Sequence, residues 1–391
     1  LAVAVLVALS GVGSASAAPQ RRVDVALEWF DTTVATTTAA PEPTQITNNR
    51  TWAIAWLAAA RTLHDAPSSR DYQDAALATS VHRSLVTLVP SRTADLDRAL
   101  AATLARIPNG RVKDRAVAAG REEARAVLAS RADDGLDPAS VNAPFALPAP
   151  APGVWRPTAP AFSAPQQAGN RTAKPFLLSR GDQFRPGPPP ALDSTRYRDD
   201  LAEVRAYGAA DSTVRTQAQT DTATFWYGSS FTLYTSPLRA ALGQSQRPTA
   251  GRAALVAIFH VALVDTQIAT SDAKYAYLRW RPITAIGGGW TPLHVTPAHP
   301  DYPSGHNTYA GAAEQVLTAL VGPRANEPFR IDSPSAPGVG RDYSTWHQLT
   351  EANVDARVWS GIHTRTADTV GVDLGRRVAA HDLRRARELL G

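Results

Sequence analysis

Two histidines, two arginines, a lysine, a serine and a glycine fall in three short runs in the last third of this 391-residue chain. The runs are Lys274 to Pro282, Pro303-Ser304-Gly305-His306, and Arg357 to His363. Arginine presents a planar, permanently charged fork that matches two oxygens of a tetrahedral oxyanion, and lysine adds a movable point charge. Arg281 and Arg357 can therefore hold equatorial oxygens with Lys274 beside them. Ser304 contributes a hydroxyl, and Gly305 lets an anion approach the main chain closely. His306 stands where it can give a proton to an apical oxygen or take one from it. Together these residue types supply chemistry on a bound oxyanion.

The elements that must position them follow from spacing. Lys274 and Arg281 are seven residues apart, so a continuous helix would set them on one face about 10.5 Å apart along its axis. Pro282 then ends that helix, or at least disfavours helical geometry at Arg281. Ser304 is a natural N-cap for the Ala-rich run that follows it and stops near Gly322-Pro323, and free amides at such a helix start attract anions. Arg357 and His363 would be separated by about 120° on an ideal helix, so the helix is expected to distort or end near Ser360-Gly361. A further helix is expected from a capping threonine at Thr366-Ala367-Asp368 to Leu389-Leu390.

In order and spacing the three runs resemble the signature shared by vanadium-dependent haloperoxidases and type 2 phosphatidic acid phosphatases, soluble bacterial acid phosphatases included. That pattern is Lys, six residues, Arg-Pro; then Pro-Ser-Gly-His; then Ser-Arg, five residues, His. The first two blocks match in full. In the third, Ala356 stands where the pattern has serine, and Asp368 follows His363 by five residues rather than four. Weaker likeness to the secreted bacterial haloperoxidase-like branch extends over Pro152 to Thr158, Gln183-Phe184-Arg185-Pro186, Arg215 to Trp226 and Gly375-Arg376-Arg377, so it covers most of the chain.

The resemblance implies roles. His363 would bind the vanadium of vanadate axially in a peroxidase, or attack phosphorus in a phosphatase. His306 would be the acid/base residue, and Lys274, Arg281, Ser304, Gly305, Arg357 and His363 would surround the oxyanion. In the peroxidase, Lys274 would also polarise hydrogen peroxide for attack by halide; in the phosphatase, neutral His363 would be the nucleophile and His306 would protonate the leaving alcohol. His299, seven positions before His306, would line the halide side, where an aromatic hydrocarbon goes with chloride and histidine with bromide. Bromide is the expected halide.

Other readings of the same residues exist. Each motif alone is weak, and the conjunction carries the reading. His294, His299, Asp301 and His306 could form a cation site, but no pair has i, i+4 ligand spacing and the Lys/Arg set would repel a divalent ion. Asp265, in the apolar run Ala253 to Ala269, either buttresses a site arginine or is a satisfied carboxylate on a helix face. His64, His82, His260, His347 and His381 read as structural or solvated, and Trp280 and Trp359 as packing. Asn49-Arg50-Thr51 and Asn170-Arg171-Thr172 fit the glycosylation triplet, which also arises by chance.

Leu1 to Leu9 is almost wholly aliphatic, and Ala15-Ser16-Ala17 before Ala18-Pro19 has the form of a signal-peptidase site. Residues 1–17 are therefore expected to be a signal peptide whose basic start is missing, and the protein to be secreted, without stable membrane insertion after cleavage. No later stretch reads as a membrane span, since Ala253 to Ala269 contains His260 and Asp265. The absence of cysteine excludes disulfides and thiolate chemistry, and the absence of methionine removes the other readily oxidised side chain. A net charge of +5 suits anionic substrates, yet it comes from dispersed arginines and no motif supports nucleic-acid binding.

Helical periodicity marks Thr51 to Asp65, Tyr72 to Leu88, Ala94 to Arg106 and Val112 to Ser130, and strand-like alternation is scarce. The expected organisation is an N-terminal helical region (18–136), a Pro-rich extended connector (137–194) packed through Trp155 and Phe176, and a C-terminal helical catalytic domain (195–391). The expected fold is all-α, with helical bundles packed together and the oxyanion site in the C-terminal bundle. Function is expected to be halide oxidation by hydrogen peroxide with vanadate as cofactor. The alternatives are hydrolysis of a phosphate monoester through a phosphohistidine, and oxyanion binding without turnover. An intact His306/His363 pair argues against the last, because binding alone needs no acid/base group.

Overall fold

A computed structural model describes residues 23–41 and 44–390; the expected signal peptide lies outside them. Among the described residues the chain forms fourteen α-helices and one β-hairpin. The first five helices are α1 (Val25–Ala39), α2 (Gln45–Leu63), α3 (Arg70–Leu88), α4 (Thr93–Ala105) and α5 (Arg111–Ser130). Local chemistry sets their ends: Asp24 caps α1, Thr44 and Thr47 form a reciprocal capping box on α2, and Ser69 caps α3. Short α6 (Pro138–Val141) begins the connector, which otherwise lacks regular helix apart from one 3₁₀ turn at Gly169–Thr172.

The C-terminal half holds α7 (Thr195–Tyr207), α8 (Gln217–Phe225), α9 (Ser230–Gln244), α10 (Thr249–Tyr277), α11 (Pro282–Ile286) and α12 (Gly305–Val321). The hairpin β1 (Arg324–Ser333) and β2 (Ala336–Thr345) follows, then α13 (Trp346–Trp359) and α14 (Arg365–Leu390). The all-α expectation holds, with the hairpin as its exception. Its strands pair antiparallel with Phe329 opposite Tyr343 and Ile331 opposite Arg341. Only Ala325, Phe329, Ile331 and Ser333 of β1 are buried, and this apolar face is too sparse to stand out in sequence.

α10 is the axis of the molecule. It is long and apolar enough to cross a membrane by length and composition, contrary to expectation, but 94 % of its apolar stretch is buried inside the protein. α2 packs along it, and one apolar cluster runs from Val25, Trp29 and Trp56 through Val256 and Phe259 to Leu317 and Ala379. α12 and α14 form the other close pair. Their backbones touch at glycines: a Cβ on Gly311 would lie 2.2 Å from the Val372 carbonyl oxygen, and one on Gly375 2.0 Å from that of Thr308. This approach draws the start of α12, with Ser304 and His306, against the chain that carries His363; the Ser304 amide donates to the Ala367 carbonyl at 2.9 Å.

The connector is fastened by buried charge. Asp265 on α10 accepts the amides of Phe176, Leu177 and Leu178 at 2.7, 2.7 and 2.9 Å. It therefore anchors the connector rather than buttressing a site arginine. Arg131 lies over the Phe176 ring, and Trp155 is 1 % exposed. Asn49 and Asn170 are both fully buried, so neither triplet presents an acceptor for a glycan.

Candidate oxyanion site

Lys274 sits in the last turn of α10, which stops because Leu278 adopts a left-handed conformation (φ 49°) and returns its amide to the Lys274 carbonyl. Residues 278–280 then run extended against the connector: the Trp155 amide donates to the Leu278 carbonyl and the Trp280 amide to that of Gly153. Arg281 follows in extended geometry before α11. Lys274 and Arg281 thus reach the site from two elements, not from one helix face as the spacing suggested, because Pro282 and the connector pairing override the helix.

Ser304 occupies the N-cap position of α12, yet its hydroxyl makes no capping bond. Gly305 begins the helix, with Lys274 Cε the nearest atom, 3.8 Å from where a Cβ would be. α13 ends at Trp359, and Gly361 (φ 76°) turns the chain to His363. A Cβ there would meet the Gly208 carbonyl oxygen at 2.4 Å, so both conformation and space require glycine. The expected break at Ser360-Gly361 is present. The last helix starts one residue earlier than its predicted cap, with Thr364 rather than Thr366 accepting an amide of its first turn, that of Ala367.

These turns bring all the signature residues together. Lys274, Arg281 and Arg357 are 4, 0 and 0 % exposed and His363 is 1 % exposed; His299 and His306 are half-buried. Arg281 Nη1 donates to His363 Nε2 at 2.9 Å and Arg281 Nη2 to His299 Nδ1 at 3.0 Å. An arginine can only donate, so both ring nitrogens accept. His363 therefore carries its proton on Nδ1, 2.7 Å from Asp301 Oδ1. Thr364 donates to the other Asp301 oxygen at 2.8 Å. By the same argument His299 is protonated at Nε2. His306 Nε2 is 2.9 Å from the Gly228 carbonyl oxygen and must donate to it.

Burial sets the charge states. It lowers His363, His306 and His299 well below the ordinary imidazole range, with Arg281, Arg357 and Lys274 respectively the next contributors, so all three are neutral at pH 7. Burial depresses Arg281 and Arg357 to about 10 and Lys274 well below its usual value. It also raises Asp301 to about 6, against the pull of Arg281, and Asp368 well above the usual carboxylate range. The site is therefore rich in donors, around a histidine nitrogen whose lone pair accepts from Arg281. Arg357 Nη2 donates to the Trp226 carbonyl at 2.7 Å, while its Nε has no partner among the described residues.

The turn after α8 closes one side. Ser335 at the hairpin tip accepts the Gly228 amide at 3.0 Å and donates to the Thr224 carbonyl at 2.7 Å. Tyr227 stacks on His294, centroids 4.5 Å apart, below the Arg357 guanidinium.

This arrangement has counterparts among solved structures. A bacterial vanadium-dependent iodoperoxidase superposes with a TM-score of 0.77 at 22 % identity, covering 93 % of this chain and 98 % of the other. Apo and holo forms of bacterial vanadium-dependent chloroperoxidase give 0.71 and 0.66, both at 16 % identity, covering 90 and 93 % of this chain and 96 and 93 % of theirs. Residues 287–391 match the family model described as the VCPO second helical-bundle domain. The chain has the vanadium-haloperoxidase fold. Among curated proteins no sequence matches it.

Within that fold, the residues weighed and set aside as a cation cluster have separate partners: His294 bonds Ser360, His299 bonds Arg281, Asp301 bonds His363, and His306 bonds Gly228. Asp368 accepts Asn307 Nδ2 at 2.7 Å inside the α12/α14 contact. Sequence reasoning missed Asp301 as the partner of His363, along with the Trp226–Gly228 turn and the Tyr227/His294 stack. Asp301 had a signal: a ligand or nucleophile histidine usually needs a carboxylate or carbonyl on its other nitrogen, and Asp301 is the acid between His299 and His306.

Proposed function

We propose that this protein is a vanadate-dependent haloperoxidase that oxidises halide, bromide in preference, with hydrogen peroxide. The observation that carries the reading is the accepting Nε2 of His363, its proton held on Nδ1 by Asp301, among the buried Lys274, Arg281 and Arg357. Such a donor set fits a multiply charged oxyanion: buried cations are costly without a compensating anion, and Arg357 Nε still lacks a partner. His363 would be the ligand to vanadium, and Arg281, Arg357, Ser304, the Gly305 amide and Lys274 would hold the oxygens. When bound, vanadate supplies a Lewis acid that activates peroxide towards halide.

The residues do the rest. Asp301 and Thr364 keep the His363 lone pair aimed inward, and Lys274, held by the Pro300 and Asp301 carbonyls, fixes positive charge near the reacting oxygens. Neutral His306 keeps its Nε2 proton on the Gly228 carbonyl, which leaves Nδ1 as the nitrogen able to accept one. His299, locked by Arg281 with hydrogen on Nε2, presents a donor suited to a halide. Overall, Br⁻ + H₂O₂ + H⁺ gives HOBr + H₂O. Residues 1–17 support secretion as part of this reading.

The test is bromination of a phenolic dye dependent on peroxide and bromide, with and without orthovanadate. Activity that requires vanadate and disappears in His363→Ala supports the proposal. No bromination, together with hydrolysis of a phosphate monoester that vanadate inhibits, would assign the same pocket to a phosphatase.

A further inference from the structure

A chamber of about 170 Å³ is lined in part by Lys274, Gly305, His306 and His299. That space suits a small molecule. Its other walls come from all three parts of the chain: Gln45 of α2, Gln166 and Gln167 of the connector, and Gln267 of α10. Thirteen residues line it; none is Leu, Ile, Val, Phe or Trp, and none is acidic.

Its amides are divided between bonds that fix them and atoms left for something else. Gln267, only 8 % exposed, donates to the Leu263 carbonyl at 2.9 Å, leaving Oε1 as an acceptor without a partner among the described residues. Gln45 Oε1 accepts the Phe231 amide at 3.0 Å, leaving its NH₂ as a donor. The connector turn is pinned through its main chain: the Gln166 amide donates to the Ala298 carbonyl, the Tyr275 hydroxyl donates to the Gln166 carbonyl, and the Gln167 amide donates to Asn142 Oδ1 at 3.0 Å. Gln167 is held at φ 60°, a conformation uncommon for a side-chain-bearing residue. The backbone is thus fixed, and two consecutive carboxamides stand in the chamber wall.

We propose that this chamber binds an uncharged, hydrogen-bonding organic molecule, such as a phenol bearing an amide, through Gln45, Gln166, Gln167 and Gln267. A cation would find no carboxylate, and a hydrocarbon would cover the Gln267 acceptor and the Gln45 donor without pairing them. The molecule's role as halogen acceptor rests on the haloperoxidase reading; its binding does not. In that role an aromatic carbon attacks the bromine of hypobromous acid, the Br–O bond breaks, and the proton lost from that carbon converts the released hydroxide to water.

The experiment is calorimetric titration of the full chain with 4-hydroxyphenylacetamide and, separately, 4-ethylphenol, which has similar size but no amide. Orthovanadate is titrated in parallel. The amide is expected to bind at least tenfold more tightly than the alkyl phenol, with that advantage reduced at least fivefold in Gln166→Leu, an exposed connector position, and in Gln267→Leu. Equal affinities, no binding of either, or unchanged affinity in both variants would overturn the proposal, and retained orthovanadate binding in those cases shows that the oxyanion site stands without it. Selective amide binding in a protein that fails to brominate would support the chamber and sink the halide reaction instead.

Discussion

Asp301 Oδ1 lies 2.7 Å from His363 Nδ1, and both residues are 1 % exposed. This bond decides which nitrogen of His363 faces the oxyanion donors. Losing such a partner typically costs 10- to 100-fold in ligand affinity. Asp301→Asn is therefore expected to weaken orthovanadate binding by about that factor, measured by titration.

Asp301 also predicts a pH dependence. Burial raises its carboxyl to about 6, so the ionised acceptor forms as pH rises through that value. Orthovanadate affinity should rise across the same interval, and Asp301→Asn should remove the step. Stability runs the other way: a carboxyl whose folded value is raised contributes most below its unfolded value of about 3.9 and loses that contribution as pH climbs through about 6.

His306→Ala separates binding from turnover. A positioned acid/base group typically contributes about 10²- to 10⁴-fold, so turnover should fall by that amount while orthovanadate affinity changes much less. Steady-state rates and titration on one preparation check this. A parallel loss of both would make His306 a binding residue.

Asp265→Ala should destabilise the fold without touching the oxyanion donors. It strips the buried amides of Phe176, Leu177 and Leu178 of their acceptor and leaves Arg131 less compensated. A loss of about 3 kcal/mol or more is expected, read from urea denaturation. Susceptibility of the connector to proteolysis should rise with it.

His260 supplies an acid-sensitive element. It is buried against Trp52 and bonded to Asn49, and burial lowers it to about 3. Since its folded value is depressed, the stability it contributes is present above about pH 6.5 and is lost as pH falls towards 3, by roughly 1.4 kcal/mol per unit while only the unfolded state takes up the proton. His260→Gln should be less stable than the parent at pH 7.5 and should show a shallower loss between pH 6.5 and 4.5. Denaturation series at those pH values test both.

Much of this protein was legible before any coordinates. α3, α4 and α5 match the apolar periodicity within two residues at each end, because amphipathic spacing and capping residues are local properties. α2 begins six residues earlier than its apolar run, since its first turns are polar and are started by the Thr44/Thr47 capping box. The β-hairpin stayed hidden because its buried face is sparse and β2 is rich in glycine and charge.

The sequence by itself determined the donor set of the proposed site: residue types and order single out Lys274, Arg281, Ser304, Gly305, His306, Arg357 and His363. Only the tertiary structure decided which atoms of that set face inward. The Asp301–His363 pair spans 62 residues, and the Gln45 and Gln166 walls of the chamber come from other parts of the chain. The His363 proton is fixed by a bond across a chain reversal, Arg281 is turned by pairing with a connector more than a hundred residues away, and the chamber exists only where α2 packs on α10. Such long-range contacts leave no local period in sequence, because burial and backbone approach, rather than neighbouring side chains, create them.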